Sequence, residues 1–182
     1  YNFSKLLNSK GIFEKNPYVA VAVSGGPDSM ALLFLVKQWT KYLKGRLVAI
    51  IINHNLRPNS LKEAKSVYNL LQKNNIFSKI LSVRKNKIKK RSMSEARDNR
   101  LHLLTKFCNQ NNIINLFVGH HFDDNLETYL NRKISGSDFD GLISIKYLSL
   151  LNRVIIVRPL LNFTKKQILN YNKKNNIPFL ED

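Results

Sequence analysis

The segment Ser24-Gly25-Gly26-Pro27-Asp28-Ser29 joins an apolar run, Tyr18 to Val23, to a helix-like run, Met30 to Trp39. Two adjacent glycines reach positive φ without a Cβ penalty, so consecutive backbone N–H groups can turn toward one anion. Ser24 and Ser29 add hydroxyl donors. A helix starting near Asp28 directs its unpaired N–H groups and positive dipole end at the same point. A nucleotide phosphate is the expected ligand. The pattern is not a Walker A loop, since no lysine follows Gly26. It also lacks the third glycine of a dinucleotide fingerprint, whose place is held by Asp28 or Ser29.

Gly119-His120-His121-Phe122-Asp123-Asp124-Asn125-Leu126-Glu127-Thr128 is the second segment with chemistry in it. A helix beginning near Asp123 puts Asp123 and Glu127 one turn apart, on a face shared with His120. Paired carboxylates beside a phosphate loop suit Mg²⁺, an ammonium substrate or proton removal from an amine. The competing reading is plain N-terminal capping with a solvated acidic face. Asn53-His54-Asn55-Leu56-Arg57-Pro58 offers His54 to a nucleotide or reacting base and Arg57 to a phosphate. Arg97 and Arg100 are spaced to grip phosphates from one helix face. Arg84 to Arg91 carries six Lys or Arg and reads as an arm over RNA, or as a solvated loop. Ser135-Gly136-Ser137 and Gly141 read as a linker that closes over substrate.

These residues must be positioned by elements, and the apolar pattern predicts which. Strand-like runs cover Tyr18 to Val23, Leu47 to Ile52, Ser78 to Val83, Asn115 to Val118 and Val154 to Val157. Most are continuously apolar, as in strands buried on both faces. Helical patterns lie between and after them: Met30 to Leu43, Leu61 to Asn74, Ser94 to Asn111, Asn125 to Ile134 and Lys165 to Asn175. Capping boxes are predicted at Ser60 with Glu63, Ser92 with Glu95, and Thr164 with Gln167. The alternation specifies an α/β fold, a doubly wound parallel sheet of about five strands, with ligands at the carboxyl ends. Each polar cluster above follows a strand, so all should converge on one crevice.

The chain of 182 residues suits one domain, residues 1–182. Its net charge of +18 makes polyanions the natural partners, the alternative source of the charge being a Lys- and Asn-rich composition bias. No run of about 18 uncharged apolar residues spans a bilayer, so no membrane partner is expected. Cys108 is the single cysteine and suits core packing and a reducing cytoplasm. A closed zinc site is disfavoured by the scarcity of sulfur and imidazole ligands.

The loop resembles the pyrophosphate loop of the ATP pyrophosphatases, which implies an adenine nucleotide alpha hydrolase-like PP-loop fold and AMP-forming chemistry. Beyond the loop, NHNLRPNS, SEARDNR, GHHFDDNLET with SGSDFDGL, RPLL and Leu180-Glu181-Asp182 are similar to the catalytic domain of the tRNA(Ile)-lysidine synthetase family. Members continue past that acidic pair, so a shortened chain without the further tRNA-binding domains is expected. The resemblance implies ATP and Mg²⁺ as cofactors, with L-lysine and the CAU-anticodon isoleucine tRNA as substrates. Nucleotide contacts would come from Ser24, Gly25, Gly26, Pro27, Asp28, Ser29, His54, Gly119 and His120. Catalytic roles would fall to Asp28, Arg97, Asp123, Asp124 and Glu127, with Mg²⁺ on Asp28 and Asp124. Which carboxylate meets lysine is left open, as is oligomeric state, a dimer being one option. Competing readings are a tRNA thiolase, for which cysteines are too few, an amide-forming synthetase, and a non-catalytic nucleotide or RNA module.

Overall fold

A computed structural model describes residues 3–11, 13–55, 58–83, 93–134 and 145–180. In chain order the elements are α1 (Phe3–Lys10), β1 (Tyr18–Val23), α2 (Pro27–Tyr42), β2 (Arg46–Asn53), α3 (Ser60–Lys73), β3 (Ser78–Ser82), α4 (Met93–Gln110), β4 (Asn115–Phe117), α5 (Phe122–Ile134), β5 (Leu148–Leu151), β6 (Val154–Val157) and α6 (Lys165–Lys174). The strands form one sheet in the order β3-β2-β1-β4-β6-β5. β1 is the hinge of the topology, because Val21 pairs in parallel with Ala49 of β2 on one side and Phe117 of β4 on the other. The chain winds outward from β1 to β3, then crosses back to β4. The switch point therefore lies between β1 and β4, where such sheets open a crevice.

Alternate β1 side chains feed two cores. Val19, Val21 and Val23 face α2, α3 and α6, in a cluster that includes Leu32, Trp39, Leu71, Phe117 and Ile168. Ala20 faces the other way, with Val48, Ile50, Leu116 and Ile156, and is covered there by Leu104 and Cys108 of α4. Burial pushes the Cys108 thiol up to about 12, as expected of a core residue rather than a reactive one.

The sheet has one strand more than the sequence predicts. β5 pairs antiparallel to β6 at the edge, Leu148 opposite Val157 and Leu151 opposite Val154. The two-residue turn between them, Asn152 and Arg153, has φ of 49° and 66°. Two positive values define the hairpin turn that matches strand twist, but Asn-Arg lacks the Asn-Gly signature by which it is usually read. α1, held by buried Leu6 and Leu7, was also unpredicted. The Thr164 and Gln167 capping box forms in full. The box expected at Ser60 and Glu63 does not: Asn59 is the cap residue of α3, without a side-chain bond, and Ser60 is already helical. The box at Ser92, the cationic run, Arg57, the Ser135 to Gly141 linker and Glu181-Asp182 lie outside the described residues.

Candidate active site

Gly26 caps α2 in an extended conformation, Pro27 occupies its first turn without losing a needed N–H, and Asp28 follows. Gly25 has φ of 96°, and a Cβ there would stand 2.5 Å from Val67 Cγ2, so only glycine fits. The loop is braced from within. Ser29 Oγ donates to the Gly26 carbonyl at 3.0 Å and accepts from the Ser24 N–H at 3.2 Å, while the two serine hydroxyls lie 3.1 Å apart. A Cβ on Gly119 would meet the Asp28 carbonyl at 3.3 Å, so the turn after β4 rests directly on the start of α2.

A cavity of about 450 Å³ opens where the carboxyl ends of β1, β2 and β4 meet. Of the residues expected at the site, Ser24, Asp28, Ser29, His54, Gly119, His120 and Asp124 line it. Gly25, Gly26 and Pro27 supply the turn's backbone rather than its wall. Arg97, Asp123 and Glu127 are exposed and do not line the cavity. Arg100, one turn beyond Arg97, does, and so do Ser60 and Glu63 of α3.

Both histidines of the wall are held in their neutral form. Burial, then the charges of Arg158 and Arg100, lower the His120 pKa to about 4. Burial and Arg100 lower that of His54. Both imidazoles are thus neutral at neutral pH, chiefly because burial disfavours their charged form, with the nearby arginines acting in the same direction. Arg158, at the carboxyl end of β6, is buried and donates from Nε to His120 Nδ1 at 3.2 Å. Its Nη1 donates to the Lys146 carbonyl and to Ser149 Oγ, each at 2.9 Å, which also fastens β5 to the sheet. Because Nδ1 of His120 accepts, the ring's proton sits on Nε2.

The acidic residues divide by role. Asp124 Oδ2 accepts from the His121 N–H at 2.8 Å, closing the first turn of α5. Asp123 Oδ2 accepts from the Lys165 N–H at 2.7 Å, so it caps α6 across 42 residues. His121 is buried between carboxylates: Nε2 is 3.8 Å from Asp28 Oδ2 and 3.7 Å from Asp124 Oδ2, and Nδ1 is 3.4 Å from Asp123 Oδ2. The Lys165 ammonium is ion-paired with Asp28 Oδ2. Sequence reasoning named neither His121 nor Lys165 for the site. His121 adjoins a histidine that was named, but a neighbour at a strand end ordinarily points the opposite way; Lys165 gave no signal at all.

A family profile described as a PP-loop domain matches residues 1–182. The tRNA(Ile)-lysidine synthase of Wolbachia pipientis wMel is 43% identical over 182 residues, 99% of this chain and 42% of the relative. That of Orientia tsutsugamushi strain Boryong is 38% identical over 181 residues, 100% of this chain and 41% of the relative. The chain thus spans about two fifths of the length of these curated relatives. Among solved structures, the Methanococcus maripaludis U34-tRNA thiolase NcsA with its [4Fe-4S] cluster has a TM-score of 0.81 at 21% identity, covering 99% of this chain and 65% of that one. NMN synthetase from Francisella tularensis has a TM-score of 0.56 at 18% identity, covering 97% and 70%. Both likenesses concern the fold.

Proposed function

Since the chain belongs to the PP-loop family, matched along its whole length, we propose that it carries the catalytic steps of a tRNA(Ile)-lysidine synthase. The observation that carries this reading is one cavity in which the phosphate loop, the neutral His54 and His120, Arg100 and Asp124 meet at the β1–β4 switch point. Relatives bearing that name match nearly every residue of the chain. The Cys108 thiol is buried in the second core, which disfavours a thiolase reading.

In the first step the C2 oxygen of the wobble cytidine attacks the α-phosphorus of ATP; a P–O bond forms, the bond to the β-phosphate oxygen breaks, and pyrophosphate leaves. In the second, the ε-amine of lysine attacks C2, a C–N bond replaces the C–O bond, AMP departs and the amine loses a proton. The loop N–H groups and the α2 N-terminus would bind the departing pyrophosphate, where charge grows as the bond breaks. Arg100 would add to that field, and His120 would offer its Nε2–H to a phosphate or base oxygen. Asp124, whose Oδ2 is already near His121, would receive the ammonium group of lysine and take its proton.

Asp28 Oδ1 is buried without a hydrogen-bond partner among the described residues. An orphaned carboxylate oxygen beside a phosphate cradle fits Mg²⁺, which binds through one or two carboxylates plus phosphates and waters. No group of three or more such ligands occurs among the described residues, so a metal held by protein alone is not expected. Asp28 would hold it, leaving Asp124 to lysine, and it would offset the charge of the leaving pyrophosphate.

The test is ATP-dependent transfer of labelled lysine to a CAU-anticodon isoleucine tRNA transcript, with a wobble-uridine transcript as control. Label on the cytidine transcript alone is expected, and its loss in Asp28→Ala with AMP binding kept. Absence of transfer by a protein that binds ATP and the transcript would refute the reading.

A further inference from the structure

The loop Ser24 to Ser29 contains no lysine or arginine, yet it binds the most highly charged part of the nucleotide under the reading above. A cation reaches it from elsewhere. Lys165 is the first residue of α6, 137 positions downstream, and its ammonium is paired with Asp28 in the first turn of α2. Two further bonds tie the same region to the loop: Asn172 Nδ2 donates to the Pro27 carbonyl at 2.9 Å, and the Leu180 N–H donates to the Gly25 carbonyl at 2.9 Å. α6 and the segment after it thus hold Gly25, Pro27 and Asp28.

Lys165 is badly placed for its own helix. The first turn of α6 has no acidic residue and carries Lys165 and Lys166, where the dipole disfavours positive charge. Asp123 stabilises the Lys165 backbone N–H, not its ammonium. A side chain that opposes its local element marks a site where function outweighs local preference. The side chain is 41% exposed, so its head can move, while Asp28 is 21% exposed and fixed on α2.

We propose that Lys165 is a pyrophosphate ligand: its ammonium, held by Asp28 in the free protein, moves to a non-bridging oxygen of the β- or γ-phosphate when ATP binds. The loop's own backbone N–H groups bind phosphate without net charge, and Lys165 supplies the missing point charge from α6. Its departure frees Asp28 Oδ2 beside the already unpartnered Oδ1. The inference rests on the ATP reading above, and it predicts a separation between the two halves of the nucleotide.

The experiment measures binding of inorganic pyrophosphate and of AMP separately, by calorimetry with magnesium present, in the wild type, Lys165→Met, Lys165→Arg and Lys166→Met. Loss of one charge-assisted contact should weaken pyrophosphate binding about tenfold or more in Lys165→Met. AMP binding should stay within about twofold, by the same conversion. Lys165→Arg should recover part of the loss, and Lys166→Met, an exposed neighbour of equal charge, should bind both ligands as the wild type does. Unchanged pyrophosphate binding in Lys165→Met, an equal loss for AMP, or an equal loss in Lys166→Met would each overturn the assignment. A wild type that binds neither ligand would instead remove the ATP reading itself, and the assignment with it.

Discussion

His120 is held neutral by where it sits. Its Nδ1 accepts from Arg158, its ring is buried, and two guanidinium charges oppose its protonation, which together bring its pKa to about 4. In the unfolded chain the same ring titrates near 6.5. Between those values the unfolded state binds more protons, so stability is fully present above pH 6.5 and is lost as pH falls toward 4. The shift corresponds to roughly 3 kcal/mol at the acid end, with His54 adding in the same direction. Replacing His120 by Gln should therefore flatten the fall in urea midpoint between pH 7 and pH 4.5. An undiminished fall in the variant would mean that the ring is not so constrained. At this scale the sequence showed which loops share a crevice, because strand ends in such sheets face one side, and His54, His120 and Asp124 do line it. It could not show that Arg100 rather than Arg97 reaches the wall, since both fit one helical face and only the packing angle of α4 separates them. Nor could it single out Lys165 among thirty Lys and Arg, because its partner Asp28 lies 137 residues away.

Three helices end in the same way. Lys73-Asn74-Asn75-Ile76, Gln110-Asn111-Asn112-Ile113 and Lys174-Asn175-Asn176-Ile177 close α3, α4 and α6. In each the second asparagine is left-handed, with φ of 53°, 54° and 50°. The isoleucine N–H then bonds back to Leu71, Cys108 or Asn172 at 2.8 to 3.0 Å, and its side chain is buried. This is a Schellman stop in which asparagine stands in for glycine and the isoleucine supplies the apolar contact. The Asn-rich composition, read from the sequence as bias, thus also performs a structural task. Asn112→Gly should leave stability unchanged or raise it by a few tenths of a kcal/mol, whereas Asn112→Val should cost about 1–2 kcal/mol, because a branched Cβ is disfavoured at positive φ. Urea midpoints decide it, and equal midpoints for the two variants would contradict the assignment. The strands and long helices were legible because their apolar runs are long. β5 was not, since an edge strand with Leu150 74% exposed and a turn without glycine carries neither burial nor turn signal.

Across the whole molecule the charge is large, a net +18 over 182 residues. Arg158, Arg100 and Arg97 each act on His120, so three cations stand at the same end of the sheet as the phosphate loop, beside the carboxylates of Asp28, Glu63 and Asp124. No helix among the described residues is long and apolar enough to cross a membrane, and the excess of eighteen positive charges is most simply matched by a polyanion. If that partner is tRNA, binding must displace condensed counterions, and affinity must fall with salt in proportion to the phosphates contacted. With about six contacts, raising salt from 50 to 200 mM should weaken transcript binding by roughly 10³-fold. AMP has a single phosphate and no condensed counterion atmosphere, so its binding should change far less over the same range. A transcript affinity as insensitive to salt as AMP binding would return the +18 to genome composition and leave the phosphate loop as the site's one anion-binding device. A steep transcript response beside a shallow AMP response would instead require two separable anion surfaces. One would be the buried cradle at the start of α2, and the other an open face that engages RNA beyond the nucleotide it modifies.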